Sequence, residues 1–261
     1  IDECLEQIRE CLEKGWTGSG FKTAEFEKKW KEYTGHANAC YLNSNTAGLH
    51  LAVNILKRRY GWQDGDEIIS SPITFVSTNH AIMYERMKPC FADVDEYLCI
   101  DPADVEKKIN DKTRAIMFVG YGGRVGQLDK IIALCKKYGL RLILDAAHMS
   151  GTRVNGVFPG TWEGVDVAVY SFQAVKNLPT GDSGMICFAD EALDKECRMV
   201  SWMGINKDTY ARTTSEGTYK WNYGVDYLGY KYNGNAVMAA IALAQLPYLD
   251  EENARRREIA A

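Results

Sequence analysis

Short apolar runs alternate with helical patterns along most of this chain, and that alternation constrains the fold more than any other feature. The runs are Ala37–Leu42, Glu67–Ser71, Pro89–Ala92, Arg114–Gly120, Arg141–Leu144, Val165–Tyr170 and Met185–Phe188. Several are apolar on successive residues rather than every second one, as in strands covered on both faces. Helical periodicity lies between them at Thr46–Arg58, Thr74–Glu85, Pro102–Ile109 and Gln127–Tyr138. Asp101 before Pro102 combines an N-cap with a first-turn proline, a clear helix start. Strand–helix alternation of this kind predicts an α/β fold, with a mostly parallel sheet and helices on both faces.

A chain of 261 residues can bury a full core as one large domain, or one large plus one small. The formal charge of -4 gives no drive toward nucleic acid or an acidic membrane, so the expected partner is a small molecule. The eight cysteines are scattered without a C-x-x-C pair, which argues against a disulfide framework or a zinc site. Cys135 and Cys187 fall in apolar periodic segments and read as buried reduced thiols, in keeping with a cytoplasmic protein. The start, IDECLEQIRECLEK, is acidic and amphipathic, with Ile1, Leu5, Ile8 and Leu12 on one helical face, and lacks the basic start and apolar core of a signal peptide. No segment is apolar for long enough to span a membrane; the longest candidate, Val237 to Leu249, contains Gln245 and Pro247 and reads as a core helix.

The first residue is not Met and the last residues, NARRREIAA, form a charged helical run, so a fragment of a longer protein is expected. Residues 1–235 are expected to form a large domain with an N-terminal helical segment. Residues 236–261 would begin a helix leading into a small C-terminal domain that is mostly absent. Residues 201–235 are rich in Gly, Tyr, Trp, Asn and Thr, the composition of a functional loop, a lid or a subunit contact.

Four segments carry candidate chemistry. In SFQAVKNLPTGDSG (171–184), Ser171 and Lys176 follow an apolar run, where ligands of open α/β sheets bind. A partly desolvated lysine condenses with an aldehyde at neutral pH, and a nearby serine can bond a phosphate. A solvated surface lysine is the bland alternative. In LILDAAHMSG (142–151), Asp145 ends an apolar strand, a costly place for an acid without a partner, and His148 follows one helical turn later. A helix cap and a partly buried histidine are the ordinary readings of that pair. In YLNSNTAGLHLAV (41–53), Asn45, Thr46 and Ala47 open a helix whose first amides suit an anion, or simply cap it. Phe75, in SPITFVSTNHAI (71–82), can stack on a planar ring or pack in the core.

Taken in order, SNTAGLH, TFVST, FADVD, LDAAHMSG, SFQAVKN and LGYKYNGNAVMAAIALAQLPYLD resemble the DegT/StrS-type sugar aminotransferases, fold-type-I pyridoxal-phosphate enzymes, over essentially the whole chain. The resemblance implies that Lys176 is catalytic and carries pyridoxal 5'-phosphate as a Schiff base. It implies that Asp145 pairs with the pyridine nitrogen, that His148 lies beside the ring and that Phe75 stacks on it. Asn45, Thr46, Ala47 and Ser171 would hold the phosphate, and Asn233 or Lys231 would reach the partner subunit's phosphate within a homodimer. The implied reaction aminates a nucleotide-linked keto-sugar, with glutamate as the amino donor. The sequence departs from the family in TGDSG (180–184), where G-E-G-G is common, in KYN (231–233), where N-Y-R is frequent, and at Gln173, where His is frequent.

Two other functions compete. VGYGGRVGQ (119–127) lies between a strand and a helix, as in NAD-dependent oxidoreductases, but Val125 occupies the third glycine place of G-x-G-x-x-G. A binding module for cofactor or nucleotide-sugar without catalysis is the second, and the presence of Lys176 weighs against it.

Overall fold

Seven strands form one sheet in the computed structural model, which describes residues 1–206 and 223–260. They are β1 (Cys40–Leu42), β2 (Glu67–Ser70), β3 (Lys88–Phe91), β4 (Thr113–Val119), β5 (Arg141–Asp145), β6 (Val167–Ser171) and β7 (Gly184–Phe188). Their order is β1-β7-β6-β5-β4-β2-β3. β3, β2, β4, β5 and β6 pair in parallel, whereas β7 runs antiparallel to both β6 and β1. The register aligns Val119 with Asp145 and Asp145 with Val169, so several strand ends meet at one edge.

The helices are α1 (Asp2–Glu13), α2 (Phe21–Thr34), α3 (Asn45–Tyr60), α4 (Ser77–Tyr84), α5 (Pro102–Lys108), α6 (Leu128–Tyr138), α7 (Glu191–Val200), α8 (Ala236–Gln245) and α9 (Leu249–Ala260). Alternate residues of each central strand feed opposite layers, as the pleat requires. Leu142 and Leu144 pack with Phe26 and Trp30 of α2, Ile131 of α6 and Ala239 of α8 in one apolar cluster. Ile143 packs with α3, with Ala81 and Ile82 of α4, and with Leu193 and Cys197 of α7 in the other. The expected α/β architecture with helices on both faces is therefore present.

Individual elements differ from expectation for local reasons. β1 begins at Cys40 rather than Ala37, because side chains replace the ladder before it: Asn38 Nδ2 donates to the Phe188 carbonyl at 3.1 Å and Arg198 Nη2 donates to Ala39 O. Helices α2 and α7 were not expected. The α2 backbone starts on Gly20, whose amide donates to Thr23 Oγ1 at 3.0 Å; α7 is capped by Asp190, which accepts from the Ala192 amide at 2.8 Å. In α1 the buried residue is Cys11, with Ile8 partly covered, while Ile1, Leu5 and Leu12 are exposed. Ala236 and Ala240 of α8 offer a shallow surface there, and the small Cys11 side chain approaches it closely enough for its thiol to reach Ala236 O at 3.7 Å. Cys135 and Cys187 are buried as expected. Among the described residues no helix is long and apolar enough to cross a membrane.

Candidate active site

The C-terminal ends of β4, β5 and β6 open onto a cleft of about 510 Å³, walled by Val119, Asp145 and Ser171. Its other walls come from the start of α3 (Ser44, Asn45, Thr46), the loop before α4 (Thr74, Phe75) and the loop carrying Lys176. This is where an open parallel sheet places ligands, because loops on either side part there. Lys176, Asp145, His148, Ser171, Phe75, Asn45 and Thr46, which are far apart in sequence, all line it.

Asp145 sits at the floor and is 4% exposed. Its Oδ2 accepts the Thr78 hydroxyl at 2.7 Å and its Oδ1 accepts the Ala147 amide at 3.2 Å. Burial pushes the Asp145 carboxyl above its ordinary range, and these two donors pull against that rise. A carboxylate held this way has a strong need for a cationic partner from the cleft.

Lys176 is half-buried, its backbone fixed by donation from its amide to Gln173 O at 2.8 Å. The Gln173 side chain reinforces the turn, with Oε1 accepting the Val175 amide at 3.0 Å. Burial lowers the Lys176 ammonium from its usual value, Asp145 opposing, which favours the nucleophilic neutral amine. His148 is lowered too, first by burial and then by the Lys176 charge. Its Nδ1 accepts the Gly122 amide at 3.2 Å, so that nitrogen carries no proton in this arrangement. Tyr121 meets the His148 ring edge-on at 5.9 Å between centroids.

The glycine run 120–123 is thus folded onto the 145–152 loop, with Thr152 Oγ1 also donating to Gly123 O at 2.9 Å. At the start of α3, Ser44 is the N-cap, and its Oγ accepts the Ala47 amide at 3.1 Å. Asn45 Nδ2 is spent on the Val169 carbonyl at 3.0 Å. What this turn offers to the cleft is therefore the first helical amides and the Thr46 hydroxyl, with buried Ala47 set behind them. Phe75, 74% exposed, stands on the rim. Gln173, Asp182, Tyr121 and Thr74 also line the cleft and were not among the expected site residues; the TFVST and TGDSG segments held two of them in plain view.

Lys231 and Asn233 do not line this cleft. They border a separate cavity of about 530 Å³ with Trp16, Tyr41, Arg198 and Trp202. Lys231 Nζ lies over the Trp202 ring, 3.0 Å from its centroid, and Asn233 Oδ1 is buried without a hydrogen-bond partner. Of the aromatic segment 201–235, residues 207–222, Arg212 among them, lie outside the described residues. Arg153, Arg198 and Arg124 lie outside the cleft and have partners of their own: Arg153 bonds Asp250 at 2.8 and 3.1 Å, Arg198 bonds Asp194 at 2.8 Å, and Arg124 donates to Tyr97 O at 3.4 Å.

Comparison with known proteins places this geometry. The DegT/DnrJ/EryC1/StrS aminotransferase family matches residues 1–261. The chain is 38% identical over 259 residues to the spore coat polysaccharide biosynthesis protein SpsC of Bacillus subtilis, covering 99% of this chain and 64% of that protein. The aminotransferase TlmJ of Streptoalloteichus hindustanus superposes with a TM-score of 0.87 at 34% identity, over 98% of this chain and 66% of that one. The putative sugar aminotransferase Spr1654 of Streptococcus pneumoniae, in its PMP-form, superposes with a TM-score of 0.88 at 26% identity, over 100% of this chain and 68% of that one. The same protein is also known in a PLP-form. This chain belongs to the DegT/DnrJ/EryC1/StrS aminotransferase family. It spans just under two thirds of the length of SpsC.

Proposed function

We propose that this chain is the large part of a pyridoxal-phosphate-dependent sugar aminotransferase that converts a nucleotide-linked keto-sugar into an amino-sugar, with glutamate as amino donor. The observation that carries the reading is the convergence of Lys176, Asp145, His148, Ser171 and the start of α3 on one cleft. The residues fit the cofactor: a buried carboxylate with a demand for a cation, a lysine shifted toward its neutral amine, and free helix-start amides. When bound, pyridoxal phosphate supplies an aldehyde for the lysine and a protonated ring that draws electron density from the substrate carbon.

Lys176 would be the covalent anchor for the cofactor aldehyde and, as a neutral amine, would take up and return the proton of the substrate carbon. Asp145 holds the proton at the pyridine nitrogen. His148 would lie beside the ring, and Phe75 at the rim would stack on its face. Thr46, Ser171 and the amides of Asn45 and Thr46 grip the phosphate, with Ala47 allowing close approach.

The sugar reading rests on relatives and on chemistry. No arginine is among the described residues of the cleft, whereas an enzyme specialised for amino acids needs a bidentate guanidinium for the α-carboxylate. SpsC is named for polysaccharide biosynthesis, which points to a surface glycan as the destination of the product. The test loads the protein with the pyridoxamine form of the cofactor and offers UDP-, dTDP- and GDP-linked keto-sugars beside simple keto acids. One nucleotide sugar should restore the absorbance of the lysine-bound cofactor at least about tenfold faster than any keto acid other than the donor's own. A win for pyruvate would exclude the sugar assignment.

A homodimer with shared sites belongs to the same proposal, supported by the placement of Lys231 and Asn233 away from the cleft of their own chain. In a mixed dimer of Lys176→Ala and Asn233→Ala chains, action of Asn233 across the interface leaves one of two sites intact, whereas action within its own chain leaves none. The mixed dimer should recover close to half of the wild-type turnover, with each variant homodimer well below that. Recovery of none would place Asn233 in the site of its own chain, and wild-type activity of the Asn233→Ala homodimer would place it outside the phosphate site.

A further inference from the structure

Thr78 lies on α4 and is fully buried. Its hydroxyl has two partners, Asp145 Oδ2 at 2.7 Å and Thr74 Oγ1 at 2.7 Å. The direction of this chain follows from its end. An ionised carboxylate only accepts, so the Thr78 proton is committed to Asp145. The Thr78 oxygen therefore accepts the proton of Thr74, a residue of the cleft wall next to Phe75. Aligned hydroxyls of this kind polarise one another, and a donor to a charged acceptor is worth more than a neutral pair.

The opposite carboxylate oxygen is held by the Ala147 amide at 3.2 Å. The Thr78 hydroxyl on one oxygen and the Ala147 amide on the other fix the plane of the carboxylate, the Asn45 side chain also steadies its charge, and its remaining acceptor capacity is toward the cleft.

We infer that Thr78, supported by Thr74, is a positioning residue that keeps the Asp145 carboxylate oriented and ionised toward the pyridine nitrogen of the cofactor. The inference rests on the cofactor reading given above. It also connects two walls of the site: the loop that carries Phe75 and the acid beneath the ring are tied through two hydroxyls. A threonine of merely structural value would tolerate valine, which has almost the same shape. Here valine removes a donor from a buried charge, which costs far more than the methyl exchange.

The experiment compares wild type with Thr78→Val, Thr78→Ser and Thr74→Val, each loaded with cofactor labelled with ¹⁵N in the ring. Three quantities are read: the cofactor dissociation constant, the nitrogen chemical shift, and the single-turnover rate with the amino donor. In Thr78→Val the dissociation constant should change by less than about threefold, since the phosphate grip is elsewhere, while the rate falls about ten- to hundredfold. Its nitrogen resonance should move toward the unprotonated ring. Thr78→Ser keeps the hydroxyl and should restore both rate and resonance, and Thr74→Val should lower the rate only about two- to fivefold. A Thr78→Val protein with wild-type resonance and rate overturns the inference, as does a serine variant that behaves like the valine one. If Thr78→Val does not fold, the serine and Thr74 variants decide the question by the same criteria. Failure of wild type to attach cofactor to Lys176 would instead defeat the cofactor reading itself, so the two failures are distinct.

Discussion

Replacement of Lys176 by alanine should lower the single-turnover rate with the amino donor by about 10⁴-fold or more, while cofactor still enters the cleft. Two functions of the lysine vanish together, covalent attachment and proton transfer, and neither has a substitute nearby. His148 shares the cleft, but its Nδ1 accepts the Gly122 amide and burial lowers its basicity. The phosphate grip proposed at the start of α3 and at Ser171 is untouched by the substitution, so retention of cofactor on gel filtration should fall modestly. Stopped-flow absorbance measures the rate, and added methylamine or ethylamine separates the two functions. An amine small enough to enter should recover part of the proton-transfer rate. A Lys176→Ala enzyme within tenfold of wild type would remove this lysine from the chemistry.

Asp145→Asn should lower the same rate on the order of 10³-fold, because an amide cannot hold the pyridine nitrogen protonated and the ring then draws electrons weakly. Stability should move the other way or not at all. Burial raises the Asp145 pKa in the folded protein above its unfolded value, so the ionised form at neutral pH destabilises the fold. That penalty is absent while pH lies below the unfolded value and grows as pH rises through the folded value. Removing the charge relieves it, and the cofactor-free Asn variant should melt no lower than wild type at pH 7. A large loss of activity without loss of stability is the mark of a residue kept for chemistry. If the variant unfolds early and loses activity in proportion, Asp145 is instead a structural acid of the β5 end.

The central strands were legible because they are buried on both faces, and an uninterrupted apolar run such as LILD has few other homes. The antiparallel setting of β7 was not, since direction is decided by pairing with β6 and β1 and leaves no mark on composition. α7 hid behind its charges: Leu193, Cys197 and Val200 face inward together with the acid Asp194, among acidic and basic neighbours. In α1 the aliphatic stripe misled, because the neighbouring surface is alanine and takes a cysteine rather than leucines. The site residues with distinctive chemistry, Lys176, Asp145 and His148, could be named from their place after apolar runs. Thr78 could not. A threonine on a short helix is unremarkable until the fold brings it to within 2.7 Å of Asp145, 67 residues away. Asn45 and Ala47 show the converse: their turn borders the cleft, but the Asn45 side chain and the Ala47 amide are already committed within the protein.

The most direct test of Lys176 as the cofactor lysine is borohydride reduction of the purified protein in pyridoxal phosphate, followed by proteolysis and peptide mass mapping. A stable pyridoxyl group is expected on one peptide, the one containing SFQAVKN, with fragmentation placing it on Lys176. A label on any other lysine, or a protein that reduction leaves unlabelled, contradicts the assignment.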